Sequence, residues 1–382
     1  MIEVLLVSPR LSADDPRRCG DHTYTDLLLQ NPPEGVEYYH YEDLIAAGYA
    51  RRIRPLQAMS HYLTRAGILP PDMWYEAISC DFVPDVIHLY GFSVTVRVAG
   101  VNCKYPPIVL GVGTGGYSDL QYYHGWNRQK IERARRLKRL YLKTVCAHDS
   151  SLRPEQAARI LTWSAFSRHI HLDEGYVPED RISVLYPGLP SPQLTSNRRN
   201  NGSGTTYLFI GRNFERKNGS LVLQAFRSVH CAYPQTRLLL ISEPVDGRSI
   251  EEPGVSHHRF VPRELLLSDF LPQADVFLLP SKAEGFGLAA LEAMSFGIPV
   301  IAVNAWAMPE IVQDEVNGFL IDLDSLDQLT SRMMQFAQTP TLTKTMQEGC
   351  QAVFQRKFSI EVHNTQLLSH YVHALAPRRE VV

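Results

Sequence analysis

The sequence predicts an α/β protein made of two doubly wound parallel-sheet halves. Three observations carry that expectation. Short apolar strands alternate with helical stretches, a pattern that builds a parallel sheet with helices on both faces. The alternation stops at a polar stretch, SNRRNNGSG at 196–204, and then starts again. The length of 382 residues fits two domains at about 100–200 residues each.

In the first half Ile2–Val7 reads as the opening strand, with further strands at 36–39, 86–89, Ile108–Val112, 159–163 and 182–186. Helical stretches are expected at 23–30, 61–67 and 126–145. Pro190-Ser191-Pro192 leads into the polar stretch, where nothing is periodic, so this is read as the linker. In the second half, strands are expected at Thr206–Ile210, 237–242, Val276–Leu279, 299–302 and 319–321. Helices are expected at Gly219–Ala232, 263–270, 287–296 and 326–337, and 358–375 reads as a terminal helix. The domain expectation is thus 1–190 for the first domain, 191–204 for the linker and 205–355 for the second domain. The tail 356–382 then supplies a helix that crosses back to the first domain.

Composition sets outer bounds. The chain carries 45% hydrophobic and 20% charged residues, which is ordinary globular usage. With 38 Lys+Arg against 40 Asp+Glu the net charge is -2, which gives no reason to expect a nucleic-acid partner. The cysteines, Cys19, Cys80, Cys103, Cys146, Cys231 and Cys350, show no CxxC spacing, so a reduced cytoplasm is the expected setting. The apolar part of MIEVLLVSPR is short for a signal peptide, and no apolar run approaches the roughly 20 residues that span a bilayer.

The segment 274–302, ADVFLLPSKAEGFGLAALEAMSFGIPVIA, is the most informative. A buried strand ends at Pro280, a loop carries Glu284-Gly285-Phe286-Gly287, and a helix begins near Leu288. Glycines let the backbone approach a ligand closely, and the free N–H groups of the first helical turn favour a phosphate. Glu284 lies before the helix and Glu292 about a turn inside it. Carboxylates in these places can accept the hydroxyl hydrogens of a sugar. A second segment, YLFIGRNFERKNG at 207–219, ends a strand at Gly211 and follows it with Arg212, Arg216 and Lys217. Bases at the carboxyl end of a strand neutralise a diphosphate, arginine as a fork and lysine as a point charge.

Together these segments resemble the retaining nucleotide-sugar glycosyltransferases of family 4, which have the GT-B fold: two Rossmann-like domains facing across a cleft. The resemblance covers most of the chain and is strongest over 159–322. Glu284 and Glu292 match the family's Glu-x7-Glu, and Gly211, Arg212 and Lys217 match its Gly-Arg…Lys. Trp163-Ser164-Ala165-Phe166-Ser167, Asp180-Arg181-Ile182 and Tyr186-Pro187-Gly188-Leu189 resemble its interdomain signature. Trp306-Ala307-Met308-Pro309-Glu310 and Asn317-Gly318-Phe319-Leu320 look like two further family loops. The resemblance implies a donor site of Gly211, Arg212, Lys217, Glu284, Gly285, Phe286, Gly287, Leu288, Ala289 and Glu292. Among these, Arg212, Lys217 and Glu284 are implied as catalytic, with Glu284 on the donor sugar and Glu292 on the ribose. The nucleobase is expected near 242–245 and 260–263.

The chain departs from the family pattern in its first half. The loop 8–18 lacks the family's glycine pair, and Gly111-Val112-Gly113-Thr114-Gly115-Gly116 stands where the family places a histidine. The expected acceptor side is therefore Asp21, His88, Gly113, Thr114 and Asp119, with Tyr117 and Ser118 beside them. The implied reaction moves a sugar from a UDP- or GDP-linked donor to the hydroxyl of a sugar, glycoside or lipid-linked acceptor, with retention and with no cofactor or metal required. An inverting transferase, a nucleotide-sugar epimerase of the same fold, and a non-catalytic sugar-nucleotide-binding or scaffold protein are the alternatives. The run 127–143 holds eight basic residues and one acid. It is a candidate face for peripheral contact with the inner side of a membrane.

Overall fold

The computed structural model describes residues 1–12, 15, 19–52, 76–90, 94–98, 106–113, 126–133, 136, 157–173, 175, 177–192, 204–243 and 249–376. The chain forms two compact units. One comprises Met1–Arg10, Asp21–Tyr186 and Asn364–Val382, and the other Leu11–Gly20 and Pro187–His363.

The first unit is built on β1 (Ile2–Val7), β2 (Val36–His40), β5 (Val86–Tyr90), β7 (Ile108–Val112), β8 (Arg159–Thr162) and β9 (Ile182–Val184). These lie in the order β2-β1-β5-β7-β8-β9, and every pairing is parallel. Helices α1 (Gly20–Gln30), α2 (Tyr41–Ala46) and α3 (Ala165–Asp173) connect the strands. The sequence also hides a small sheet of β3 (Ala50–Arg52), β4 (Glu76–Cys80) and β6 (Val94–Val98), in the order β3-β4-β6. The expected helix at 61–67 lies outside the described residues, as does most of 126–145, of which 128–133 is helical. No described helix is long and apolar enough to cross a membrane.

The second unit repeats the plan with β10 (Thr206–Ile210), β11 (Arg237–Ile241), β12 (Val255–His258), β13 (Val276–Leu279), β14 (Val300–Val303) and β15 (Gly318–Ile321). The order is β12-β11-β10-β13-β14-β15, again all parallel, with Tyr207 opposite both Leu238 and Val276. All four residues of β13 are buried, as a strand covered by helices on both faces requires. The helical elements are α4 (Gly219–Ala232), α5 (Arg263–Leu265), a π-helical turn at Leu266–Phe270, α6 (Leu271–Gln273), α7 (Leu288–Ser295), α8 (Met308–Ile311), α9 (Leu326–Gln338) and α10 (Pro340–Lys357). Tyr207, Phe226, Leu278, Ile301 and Phe336 belong to one core, burying the inner faces of α4 and α9 against the sheet. The last helix, α11 (Ile360–Leu375), contributes its residues from Asn364 onward to the first unit.

Strand order reverses at β1 in the first unit and at β10 in the second. Open α/β sheets bind ligands outside the carboxyl ends of the strands at such a switch point.

Candidate functional site

The best-formed cluster lies at the β10/β13 switch point. After β10 the chain turns tightly: the Gly211 amide donates to the Ile241 carbonyl at 2.8 Å and the Lys217 amide to the Asn213 carbonyl at 3.0 Å. Asn218, in the left-handed region at φ 62°, opens α4. This turn is stitched to the loop after β13. The Lys282 amide donates to the Arg216 carbonyl at 2.8 Å, and Arg216 Nη1 donates to the Ala283 carbonyl at 2.7 Å. The stitching sets Lys217 against Glu284 in an ion pair. The Ser281 hydroxyl donates to Glu284 Oε2 at 3.3 Å, and Arg216 Nη1 is 3.9 Å from the same oxygen.

The side chains of Lys217 and Glu284 keep only 13% and 11% of their exposure. Burial alone would raise the Glu284 carboxyl, but Lys217, Arg216 and the Ser281 hydroxyl outweigh it and hold the group below the ordinary carboxylate range. Burial pushes the Lys217 ammonium down, and Arg216 adds to that push against the pull of Glu284. The cluster thus sets one carboxyl group beside two basic side chains. Arg212 stands exposed at the start of the same turn.

The loop then reaches α7. Gly285 is half-buried, and Phe286 is buried with its ring edge toward Phe358, 6.4 Å between centroids. Phe286 is thereby a packing anchor for the loop. Gly287 adopts φ 92°, a left-handed conformation that glycine takes without penalty, and no side chain caps the helix behind it. The first-turn amides of Leu288 and Ala289 are thus left for an anion, with the helix dipole in its favour. One turn further in, Glu292 is 7% exposed and pairs with Arg263 from α5. Composition and spacing single out Glu292 but not its partner, because Arg263 comes from a different crossover. Residues 244 and 245 of the expected nucleobase region lie outside the described residues.

In the first unit the expected acceptor residues fall into three groups. Asp21, in the first turn of α1, accepts a hydrogen bond from the Tyr90 hydroxyl at 3.3 Å at the carboxyl edge of β5. Burial raises its carboxyl, with the Tyr90 bond pulling the other way. Gly113 follows β7 in a place with no room for a side chain. A Cβ there would collide with the Tyr90 hydroxyl and come within 3.1 Å of the Trp163 ring. Tyr24, Tyr90 and Trp163 form one aromatic cluster, with centroids 5.0 to 5.4 Å apart. These rings fill the volume a larger residue at 113 would need. His88 is fully buried, its Nδ1 2.6 Å from the Tyr371 hydroxyl, which in turn meets the Tyr38 hydroxyl at 3.0 Å. His88 thus ties α11 to β5. Thr114 and Asp119, with Tyr117 and Ser118, lie outside the described residues, as does most of the basic run 127–143. The described residues hold no group of three His, Cys, Asp or Glu arranged to take a metal ion.

Residues 193–351 match the family model described as Glycosyl transferases group 1. The chain is 29% identical over 238 residues to O-antigen chain mannosyltransferase B of Escherichia coli, covering 57% of this chain and 61% of that protein. It spans roughly half the length of the first curated relatives it matches. Among solved structures, sucrose-phosphate synthase of Thermosynechococcus elongatus superposes with a TM-score of 0.64 at 16% identity, covering 98% of this chain and 100% of that one. Anabaena HepE in complex with UDP and glucose gives 0.63 at 15% identity, covering 97% and 99%. The fold is GT-B, and residues 193–351 match the glycosyl transferases group 1 model.

Proposed function

We propose that this protein is a retaining glycosyltransferase that moves a sugar from a nucleoside-diphosphate sugar to an acceptor hydroxyl. One observation carries the reading. Within the residues that match the glycosyl transferases group 1 model, the two carboxylates Glu284 and Glu292 stand on either side of an uncapped helix N-terminus, each beside a buried or half-buried cation. The amides of Leu288 and Ala289, with Lys217 and Arg212, take the diphosphate. Glu284 accepts hydroxyls of the transferred sugar, and Glu292 faces the nucleoside. The UDP bound to HepE and the mannosyl transfer in the Escherichia coli relative's name are in keeping with such a donor.

The reaction breaks the bond between the sugar's anomeric carbon and the β-phosphate oxygen, and the electron pair leaves with that oxygen. The acceptor hydroxyl oxygen bonds to the same carbon from the same face, and its proton passes to the leaving phosphate. Lys217, Arg212 and the first-turn amides stabilise the growing negative charge, preorganised donors being worth most in a site shielded from water. On this reading the charge is met by the chain's own groups and no metal is required. Asp21 and the Tyr90 hydroxyl, at the switch point of the first unit, are the proposed acceptor side.

The test is turnover. Sugar nucleotides are incubated with a panel of sugars, glycosides and lipid-linked acceptors. Released nucleoside diphosphate is counted, and the product anomer is read by NMR. Acceptor-dependent release with the donor's anomeric configuration kept supports the reading. An inverted product identifies an inverting transferase, a sugar isomerised on its nucleotide identifies an epimerase, and donor binding without turnover identifies a binding protein.

A further inference from the structure

The basic run 127–143 has no part in the reaction proposed above. It gathers eight basic residues and one acid in a chain whose net charge is -2. Residues 127–133 and 136 of the run are described. Asn127 opens a helical stretch over 128–133: its side chain accepts from the Lys130 amide at 2.9 Å, and its carbonyl accepts from the Ile131 amide at 3.1 Å. Trp126 and Ile131 are buried and root the stretch in the first unit. The other described side chains are exposed. At 3.6 residues per turn, Arg128, Arg133 and Lys130 fan over about 200° of the helix, and Ile131 lies in the gap. Arg136, also helical and exposed, follows them.

The cations on this face are poorly neutralised. Glu132 pairs with Arg128 at 3.3 Å, and the Lys130 ammonium stands 4.0 Å over the Trp126 ring. Arg133 and Arg136 have no carboxylate partner among the described residues. Like charges three or four residues apart repel on a helix, so the face gains when an anionic partner spreads across it. A helix rooted by apolar side chains on one side and cationic on the other offers its charges to a broad, flat anion. Long basic stems let the charged ends reach headgroup phosphates while the folded body stays in water. The face also belongs to the same unit as Asp21 and Tyr90, the proposed acceptor side. A lipid surface bound there brings lipid-linked acceptor hydroxyls to the unit that is proposed to take them.

We infer that the face carrying Lys130, Arg133 and Arg136 docks peripherally on a bilayer that contains anionic lipids. Docking needs no turnover, so it stands or falls apart from the glycosyltransferase reading. Each basic group close to an anionic surface strengthens binding about fivefold. Removing three should therefore weaken it about 100-fold.

The experiment is flotation of the full chain with vesicles of phosphatidylcholine alone, or with about one third phosphatidylglycerol, at about 0.1 M and about 1 M salt. Wild type is compared with Lys130→Gln/Arg133→Gln/Arg136→Gln and with Arg237→Gln/Lys344→Gln/Arg356→Gln. The second variant loses the same charge from exposed positions of the second unit. Circular dichroism checks their folding. Wild type should float with the anionic vesicles at low salt only and stay behind with phosphatidylcholine. The first variant should bind about 100-fold more weakly, and the second to within about fivefold of wild type. If the first variant does not fold, Arg136→Gln decides, with a loss of about fivefold expected. A wild type that ignores anionic vesicles, or binds both lipid compositions alike, overturns the proposal. So does equal weakening in the two variants, which assigns the effect to net charge. A wild type that anionic vesicles fail to remove from a DNA oligonucleotide at the same salt overturns it in favour of nucleic acid.

Discussion

Removing Lys217 alone should destabilise the second unit more than removing Lys217 and Glu284 together. The pair is nearly enclosed, with side-chain exposures of 13% and 11%. At an effective dielectric near 20, unit charges ~4 Å apart attract by about 4 kcal/mol. Breaking a buried pair on one side costs about 3–5 kcal/mol because the remaining charge is stranded. The slight exposure favours the lower end, so Lys217→Met should cost about 3 kcal/mol. In Glu284→Gln the damage differs in kind. Lys217 and Arg216, which stand on the same carboxylate, are left facing each other. The double variant Lys217→Met/Glu284→Gln strands neither charge and should recover all but about 1 kcal/mol of the loss. Urea unfolding of the four proteins closes the cycle. Additive losses in the double variant would refute the reasoning, since additivity means that the two side chains do not depend on each other. A pH series adds a sign check. The Glu284 carboxyl is held below its ordinary value, so its contribution is full above the unfolded pKa, about 4.3, and is lost as pH falls through the folded value.

Three further outcomes follow from the first unit and from α7. Gly113→Ala should destabilise by about 1–3 kcal/mol through overpacking against Tyr90 and Trp163, and adding Tyr90→Phe, which removes the nearest atom, should return part of that loss in the same urea assay. His370 has its pKa lowered to about 4 by burial, with Arg159 and His373 adding to it. Its contribution is therefore present above the ordinary histidine range and lost as pH falls toward 4. The melting temperature should drop across that window in wild type and drop less in His370→Gln. Gly287→Ala should cost about 1–2 kcal/mol, because a side chain is strained at φ 92°, and a thermal melt reads it.

What could be read from the sequence depended on how local each signal was. The strands of the second unit, such as Val276–Leu279, are uninterrupted apolar runs, and buried parallel strands have that signature. Val255–His258 was not legible, because VSHH is a half-exposed edge strand with little apolar content. The small sheet of the first unit was missed as well: Ala50–Arg52 carries two arginines, and Glu76–Cys80 is too short to show a period. Pro340–Lys357 escaped because TLTKTMQEGC reads as polar loop, although Pro340 sits at a helix start where proline is tolerated. In the site, Glu284, Glu292 and Lys217 were visible because strand ends, glycines and charges fall next to one another in the chain. Arg263 was expected only near the nucleobase, and its pairing with Glu292 was not legible, because only the fold brings α5 to α7. The one local hint is a proline-led helix start following a strand, and it says nothing about the partner. The Tyr24, Tyr90 and Trp163 cluster is of the same kind: it explains Gly113 only once three separate segments meet.

The most direct test of the account is whether the diphosphate clamp exists. UDP, GDP, ADP and their common sugar conjugates are titrated calorimetrically into the wild type and into Lys217→Met/Glu284→Gln, with and without Mg²⁺. The account predicts that wild type binds the nucleotides of one base with or without the metal ion, and that the folded double variant binds them about 100-fold more weakly, as loss of charge-assisted contacts implies. No binding to wild type, or equal binding to both proteins, would contradict it.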